Sequence, residues 1–274
     1  NGTVDNVTHG KTCIYNNGTV VLNGGEYTRS LEKGTSNPHE SNGNSYYNIL
    51  NHGVMTINPG VNVHANGGYS SLIASGYYSY VPKSGQQANA RSNYVSGTNH
   101  EYPSLTIYGG TFEGGFNTIK NDDGATLTIE NGTFTNTAQA PVQNNHIAVI
   151  KDGTFTPQGI ATHVVESKYS DATYDIGQTT ISGGTFNGTL YFAGASPSLT
   201  ISGGTFSDPH ALDYLTAGAN VNVRLLADTE LTKTVEMKQG TATFDLNGKR
   251  LTTTTAALRP ETNDPKMTCA IQAD

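Results

Sequence analysis

The stretch TPQGIATHVVESKYSDATYDIGQ, residues 156–178, gathers the side chains best suited to acid–base chemistry: His163, Glu166, Asp171 and Asp175. Hydrolysis of a glycosidic bond needs two carboxyl groups roughly 5–10 Å apart. Elimination needs a base beside a cation that steadies the product. A second acidic pair, Asp122–Asp123, is adjacent in sequence. On a strand its members would point to opposite faces, so a turn is the expected setting. The histidines (His9, His39, His52, His64, His100, His146, His163 and His210) form no HxxxH and no Cys/His ligand spacing, which argues against zinc. The nonapeptide ladder that binds calcium is absent, and so is a Walker loop. No metal and no other cofactor is expected. Charge on a loop is solvated by default, so the chain reads as a non-enzyme, with a polysaccharide-acting enzyme as the minority alternative.

Two other residue types carry possible chemistry. Tyr69, Tyr77, Tyr78, Tyr80, Tyr94 and Tyr102 stand among Ser, Gly and Asn in residues 66–104. Tyrosine gives rigid amphipathic contact area at small entropic cost, and its ring can stack on a sugar. These six are candidate ligand-binding residues; the alternative is a surface hairpin whose tyrosines cover the flank of the domain. Cys13 and Cys269 are the two cysteines, one near each end.

These residues need a scaffold, and the composition limits what it is. Gly is abundant, with 32 copies, and only 14% of residues are charged, which speaks against helices built from Leu, Ala, Glu and Lys. A net charge of −7 argues against a nucleic-acid partner. No apolar run of ~18 residues occurs, so no membrane insertion is expected. The abrupt start at Asn1 suggests a mature or excised segment, and the scarcity of Lys suits an extracellular or cell-surface setting. Five sequons, at Asn1, Asn6, Asn17, Asn131 and Asn187, read more simply as Asn-Gly turn chemistry.

The scaffold announces itself as a repeat. One octad recurs as VVLNGGEY (20–27), LTIYGGTF (105–112), LTIENGTF (127–134), AVIKDGTF (148–155), TTISGGTF (179–186) and LTISGGTF (199–206), with MTINPGVN (55–62) a worn copy. The final aromatics Phe112, Phe134, Phe155, Phe186 and Phe206 recur at near-even intervals, except that the step from Phe155 to Phe186 is longer. Within an octad the apolar residues alternate, which is a strand with one buried face. The glycines bend the chain, and the aromatic points back inward. The expected core is Leu105, Ile107, Phe112, Leu127, Ile129, Phe134, Ile150, Phe155, Ile181, Phe186, Leu199, Ile201 and Phe206. Strand, corner, strand every ~20–22 residues predicts a right-handed parallel β-helix, a single β-solenoid domain over 1–274. An antiparallel sandwich does not readily explain near-identical octads at that spacing. Three stretches break the rhythm and are expected to leave the solenoid as excursions: 28–48, 66–104 and 156–178.

The ISGGTF repeats ending in FDLNGKRL (244–251) resemble the β-helix repeats of large surface proteins of Gram-positive gut bacteria, mostly regarded as adhesin-like. The resemblance covers roughly residues 12–27 and 105–251 and implies a pectate-lyase-type β-helix fold. In that family a DLNGKxL coil usually precedes the NNGTVxLNGG coils, whereas here it follows them. Joining Asp274 to Asn1 restores the usual order, because TCAIQAD followed by NGTV then precedes TCIYNNGTV at 12–20.

Counted across such a junction, Cys269 and Cys13 stand about one coil apart. Equivalent positions on successive coils lie ~4.8 Å apart, within the ~4.4–6.8 Å that a disulfide tolerates. Cys13 and Cys269 are thus expected at a head-to-tail junction, bridged or stacked as thiols. The alternatives are two buried unbridged thiols in an arbitrarily cut segment, or an intrachain bridge. The last needs a tail folded back along a solenoid ~45 Å long, from the coil spacing.

The region 221–274 is then poised to continue into the next copy. The expected function is a structural and adhesive surface fibre whose partner is itself, as a head-to-tail homopolymer or tandem repeats. A monomeric adhesin that binds glycans or a host surface through its Tyr-rich loops is the alternative.

Overall fold

The computed structural model describes residues 3–6, 12–29, 47–65, 70–76, 103–122, 124–171, 175–193, 198–254, 259–260 and 268–273. The chain is a parallel β-helix with three faces to each coil. The first face is built from β2 (Ile14–Asn16), β5 (Ile49–Asn51), β8 (Ile73–Ser75), β11 (Asn117–Asn121), β14 (Ala140–Asn144), β17 (His163–Asp171) and β21 (Thr189–Ala193). The second holds β3 (Thr19–Leu22), β6 (Val54–Ile57), β9 (Ser104–Ile107), β12 (Thr126–Ile129), β15 (Ile147–Ile150), β19 (Gln178–Ile181) and the first half of β22 (Ser198–Phe206). The third holds β1 (Thr3–Asn6), β4 (Gly25–Arg29), β7 (Val61–Ala65), β10 (Thr111–Gly114), β13 (Thr133–Asn136), β16 (Thr154–Pro157), β20 (Thr185–Phe186) and the second half of β22.

The octads supply the second and third faces, and all thirteen expected core residues are buried. Phe112, Phe134, Phe155, Phe186 and Phe206 form one column with ring centroids 4.8–4.9 Å apart and planes 4–7° from parallel. That distance is the strand spacing itself, so register and ring stacking reinforce one another. The glycine two residues before each of these rings has a φ of 100–143°. A side chain there is strained by the backbone alone, and at Gly132 a Cβ would also come within 2.9 Å of the Phe134 ring.

The first face has no octad. Its inward positions carry apolar residues such as Ile49, Ile73, Ile119, Val142 and Val165, then a polar column at the corner. Asn16, Asn51, Ser75, Asn121, Asn144 and Ser167 occupy successive rungs in register, each at most 2% exposed. The asparagine amides bond along the column, Asn16 to Asn51 at 2.8 Å and Asn121 to Asn144 at 2.8 Å. They also donate to second-face carbonyls, Asn16 to Val54, Asn51 to Ser104 and Asn144 to Gln178. Buried amides are tolerable because these bonds compensate their desolvation, and they stitch the first corner where the glycines do not.

The expected excursions are corrected in part. Ile73–Ser75, inside 66–104, is a solenoid rung, so that stretch does not leave the solenoid as one excursion. Most of 156–178 is also regular structure. The long interval between Phe155 and Phe186 is filled by the extended β17 and an antiparallel return, β18 (Asp175–Ile176), with Tyr169 opposite Ile176. Residues 30–46, and with them most of the first stretch, lie outside the described residues.

Beyond β22 the coils change. A 3-10 helix, Pro209–Tyr214, takes the first-face place over β21, with Asp208 as its cap and Tyr214 stacked 4.9 Å from Phe192. β23 (Leu215–Arg224) then follows the second and third faces. The next turn holds β24 (Thr229–Leu231), β25 (Val235–Met237) packed on the 3-10 helix, and β26 (Thr241–Asp245) on β23. The LNGK phrase is a tight turn: Lys249 N donates to Leu246 O, and Asn247 and Gly248 have φ of 50° and 71°. β27 (Leu251–Thr253) lies on β24, β28 (Arg259–Pro260) pairs antiparallel with β29 (Thr268–Cys269), and β30 (Ile271–Ala273) lies on β25.

Candidate functional site

His163 opens β17 after a turn in which Ala161 N donates to Gln158 O and Gly159 has a φ of 64°. Further along the same strand, Glu166 occupies the outward side of the first face, in register with Gln143 on one side and Tyr191 on the other. Despite facing outward its side chain is only 2% exposed. Glu166 Oε1 lies 3.0 Å from His163 Nδ1, and Oε2 accepts from Gln139 Nε2 at 2.7 Å. An ionised carboxylate only accepts, so Nδ1 carries the ring proton and Nε2 of a neutral imidazole is left as an acceptor. The His163 ring stacks on that of Tyr191, 4.5 Å between centroids and 14° between planes. Ala138, Ile160 and Thr162 complete a surface cleft of about 310 Å³ around these groups. Ile160, 81% exposed, is its open apolar wall.

The structure joins His163 to Glu166 but separates Glu166 from Asp171 and Asp175. The extended run of β17 from Glu166 places the Asp171 backbone about 16 Å further along the strand, and Asp175 pairs opposite Asp171. Among the described residues Glu166 is the one carboxylate that lines the cleft. Asp122 sits in a turn as expected and is structural: buried, it meets Lys120 Nζ at 2.8 Å and accepts from Asn145 Nδ2 at 3.0 Å. Asp123 lies outside the described residues. Among the described residues no group of three or more His, Cys, Asp or Glu is placed to hold a metal ion.

All six candidate tyrosines, Tyr69, Tyr77, Tyr78, Tyr80, Tyr94 and Tyr102, lie outside the described residues. Cys13 stands just before β2 and its Sγ donates to the Thr28 carbonyl at 2.8 Å. Cys269 is on β29, and its side chain lies outside the described ones. The pairing order puts β2 at the first rung of its face and β29 next to the last rungs, so an intrachain bridge would have to span the solenoid. The expected disulfide is not seen among the described residues.

Gln139, Ile160, Thr162 and Tyr191 carry no motif, and sequence reasoning missed them. Counting one coil on from Glu166 is the signal that leads to Tyr191, its partner in register. No protein-family model, no curated protein and no solved structure matches this chain.

Proposed function

We propose that this chain is a non-catalytic unit of an extracellular, surface-displayed fibre, continued end to end by further copies of the same sequence. The observation that carries the reading is that the two ends are incomplete in complementary ways. At the N-terminal end, among the described residues, only the third face has an extra rung, β1, paired with β4. At the other end β27 and β30 each stand one rung beyond β24 and β25, while among the described residues the outer edge of β26 has no strand on it. An open strand edge is a template for another chain.

The connections match as well. Lys238, Gln239 and Gly240 link β25 to β26, and β30 pairs in register with β25. Counted across a junction, Asp274, Asn1 and Gly2 likewise link β30 to β1. β1 of the next copy then lies on β26, its β2 on β27 and its β3 on β30.

Phe244 supports the same reading. It continues the phenylalanine column in register after Val223, yet it is 37% exposed where Phe186 is 0%. A heterologous contact that does not close makes a filament. The resemblance to the GGTF-repeat surface proteins supports the extracellular setting.

Electron microscopy of the native material, beside reducing and non-reducing gels, tests this. Thin rods with an axial repeat near ~45 Å, from the coil spacing, are expected, and Phe244→Glu should shorten them. Ladders that collapse on reduction place a disulfide at the junction. Isolated particles one copy long, at every concentration, sink the proposal.

A further inference from the structure

We infer that the cleft formed by Gln139, Ile160, Thr162, His163, Glu166 and Tyr191 binds the ring of a neutral pyranose. Its walls divide as such a ligand does. A pyranose presents C–H groups on its faces and hydroxyls around its rim. Ile160, exposed on the cleft wall, and the Tyr191 ring, 39% exposed, offer apolar surface to the former. The His163 imidazole and the Thr162 hydroxyl offer donors and acceptors to the latter.

The floor is set before any ligand arrives. Glu166 holds His163 through Oε1 and Gln139 through Oε2, and His163 is clamped again by its stack on Tyr191. A site whose polar groups are already oriented loses less entropy on binding.

Charge and size narrow the ligand class. The Glu166 carboxylate at the floor repels uronates and phosphates. Its two oxygens are already engaged, and no second carboxylate among the described residues lines the cleft, which leaves a hard cation short of the oxygen ligands it needs. At about 310 Å³ the cleft is at the small end of ligand sites, room for one or two rings. This site is separate from the strand edges used for end-to-end joining, and a single isolated copy would bind equally well.

The test uses the full chain with methyl glycosides of glucose, galactose, mannose and N-acetylglucosamine, and methyl glucuronide as the charged comparator. Saturation-transfer NMR reports contact and calorimetry the affinity. At least one neutral glycoside should bind, with Kd on the order of millimolar for so few contacts, and the glucuronide should bind more weakly. Tyr191→Ala should raise Kd about threefold to tenfold, the range expected for one ring contact. Ile160→Ser, at a site too exposed to affect folding, should also raise it with Tm unchanged. Absence of binding by every neutral glycoside overturns the inference, as does preference for the glucuronide, or binding indifferent to both substitutions.

Discussion

The rings of Phe134 and Phe155 lie 4.8 Å apart and within 4° of parallel, although a full coil of chain separates them. Each is fully buried, and each pairs in register with the other across adjacent third-face strands. One coil of the solenoid is thereby measured out by a single aromatic contact.

Phe155 has a ring on both sides, whereas Phe206 has Phe186 on one side and Val223 on the other. Phe155→Ala should therefore cost about 3–5 kcal/mol, the range for emptying a buried aromatic site. Phe206→Ala should cost less, and Phe155→Leu less still. Urea denaturation of the three variants checks the order; equal losses at 155 and 206 would show that the stack adds nothing beyond burial.

Asn144 shows what the polar corner is worth. Its amide donates to His146 O, Gln178 O and Thr179 Oγ1, and its Oδ1 accepts from Asn121 Nδ2 and His146 N. Asn144→Ala leaves several of those groups buried without a partner, at about 1–3 kcal/mol for each group left so. Loss of hydrogen-exchange protection should concentrate at residues 121, 146 and 178. Unchanged protection at those three amides would contradict a stitching role.

Gly114 ends β10 with a φ of 95°, and a Cβ there would run into the Ala65 carbonyl of the coil before. Gly114→Ala is expected to destabilise by more than ~2 kcal/mol, combining backbone strain with the clash. Gly60 also has a positive φ, but nothing lies within 4 Å of its Cβ position. Gly60→Ala should thus be milder, and comparison of the two melting curves separates strain from collision.

Tyr214 sets an alkaline limit. Burial first, then Asp213 and Asp208, raise its pKa above 10.0. A raised folded-state value means that no stability is lost below the unfolded-state pKa, where both states hold the proton. Above it the unfolded state releases its proton first, so stability falls as pH rises from about 10 through the folded value. Tyr214→Phe should flatten the decline of Tm as pH rises above about 10, the ordinary tyrosine value. A decline of the same slope in the variant would assign the loss to other groups.

Much of the architecture was legible in residues 105–206, because there the octads recur with little change. LTI and GTF specify two faces, and the columns they imply are the ones that form. The first face was not legible, since Asn16, Asn51, Ser75, Asn121 and Asn144 share no phrase and polar residues do not advertise burial. Nor was the pairing of the first strand. The NGTV at 1–4 repeats the NGTV at 17–20, yet Thr3–Asn6 pairs with Glu26–Arg29. The step from Thr3 to Thr19 is shorter than the usual coil, and the step from Thr3 to Glu26 is close to it. Of the cleft, His163 and Glu166 were legible as neighbouring titratable residues, and Gln139 and Tyr191 were not.

The sequence by itself therefore determined the coil: its length, its apolar columns and the corners that only glycine turns without strain. These follow from alternation and from backbone sterics, both local properties. The tertiary structure alone decided which coils lie side by side, and so it decided everything that depends on neighbours a full coil apart in the chain. It buried Glu166 between Gln139 and His163, gave His163 the Tyr191 ring to rest on, and left the β26 edge without a strand among the described residues. Those are contacts between rungs, and their register is set by the inserted residues between octads, which no repeat records.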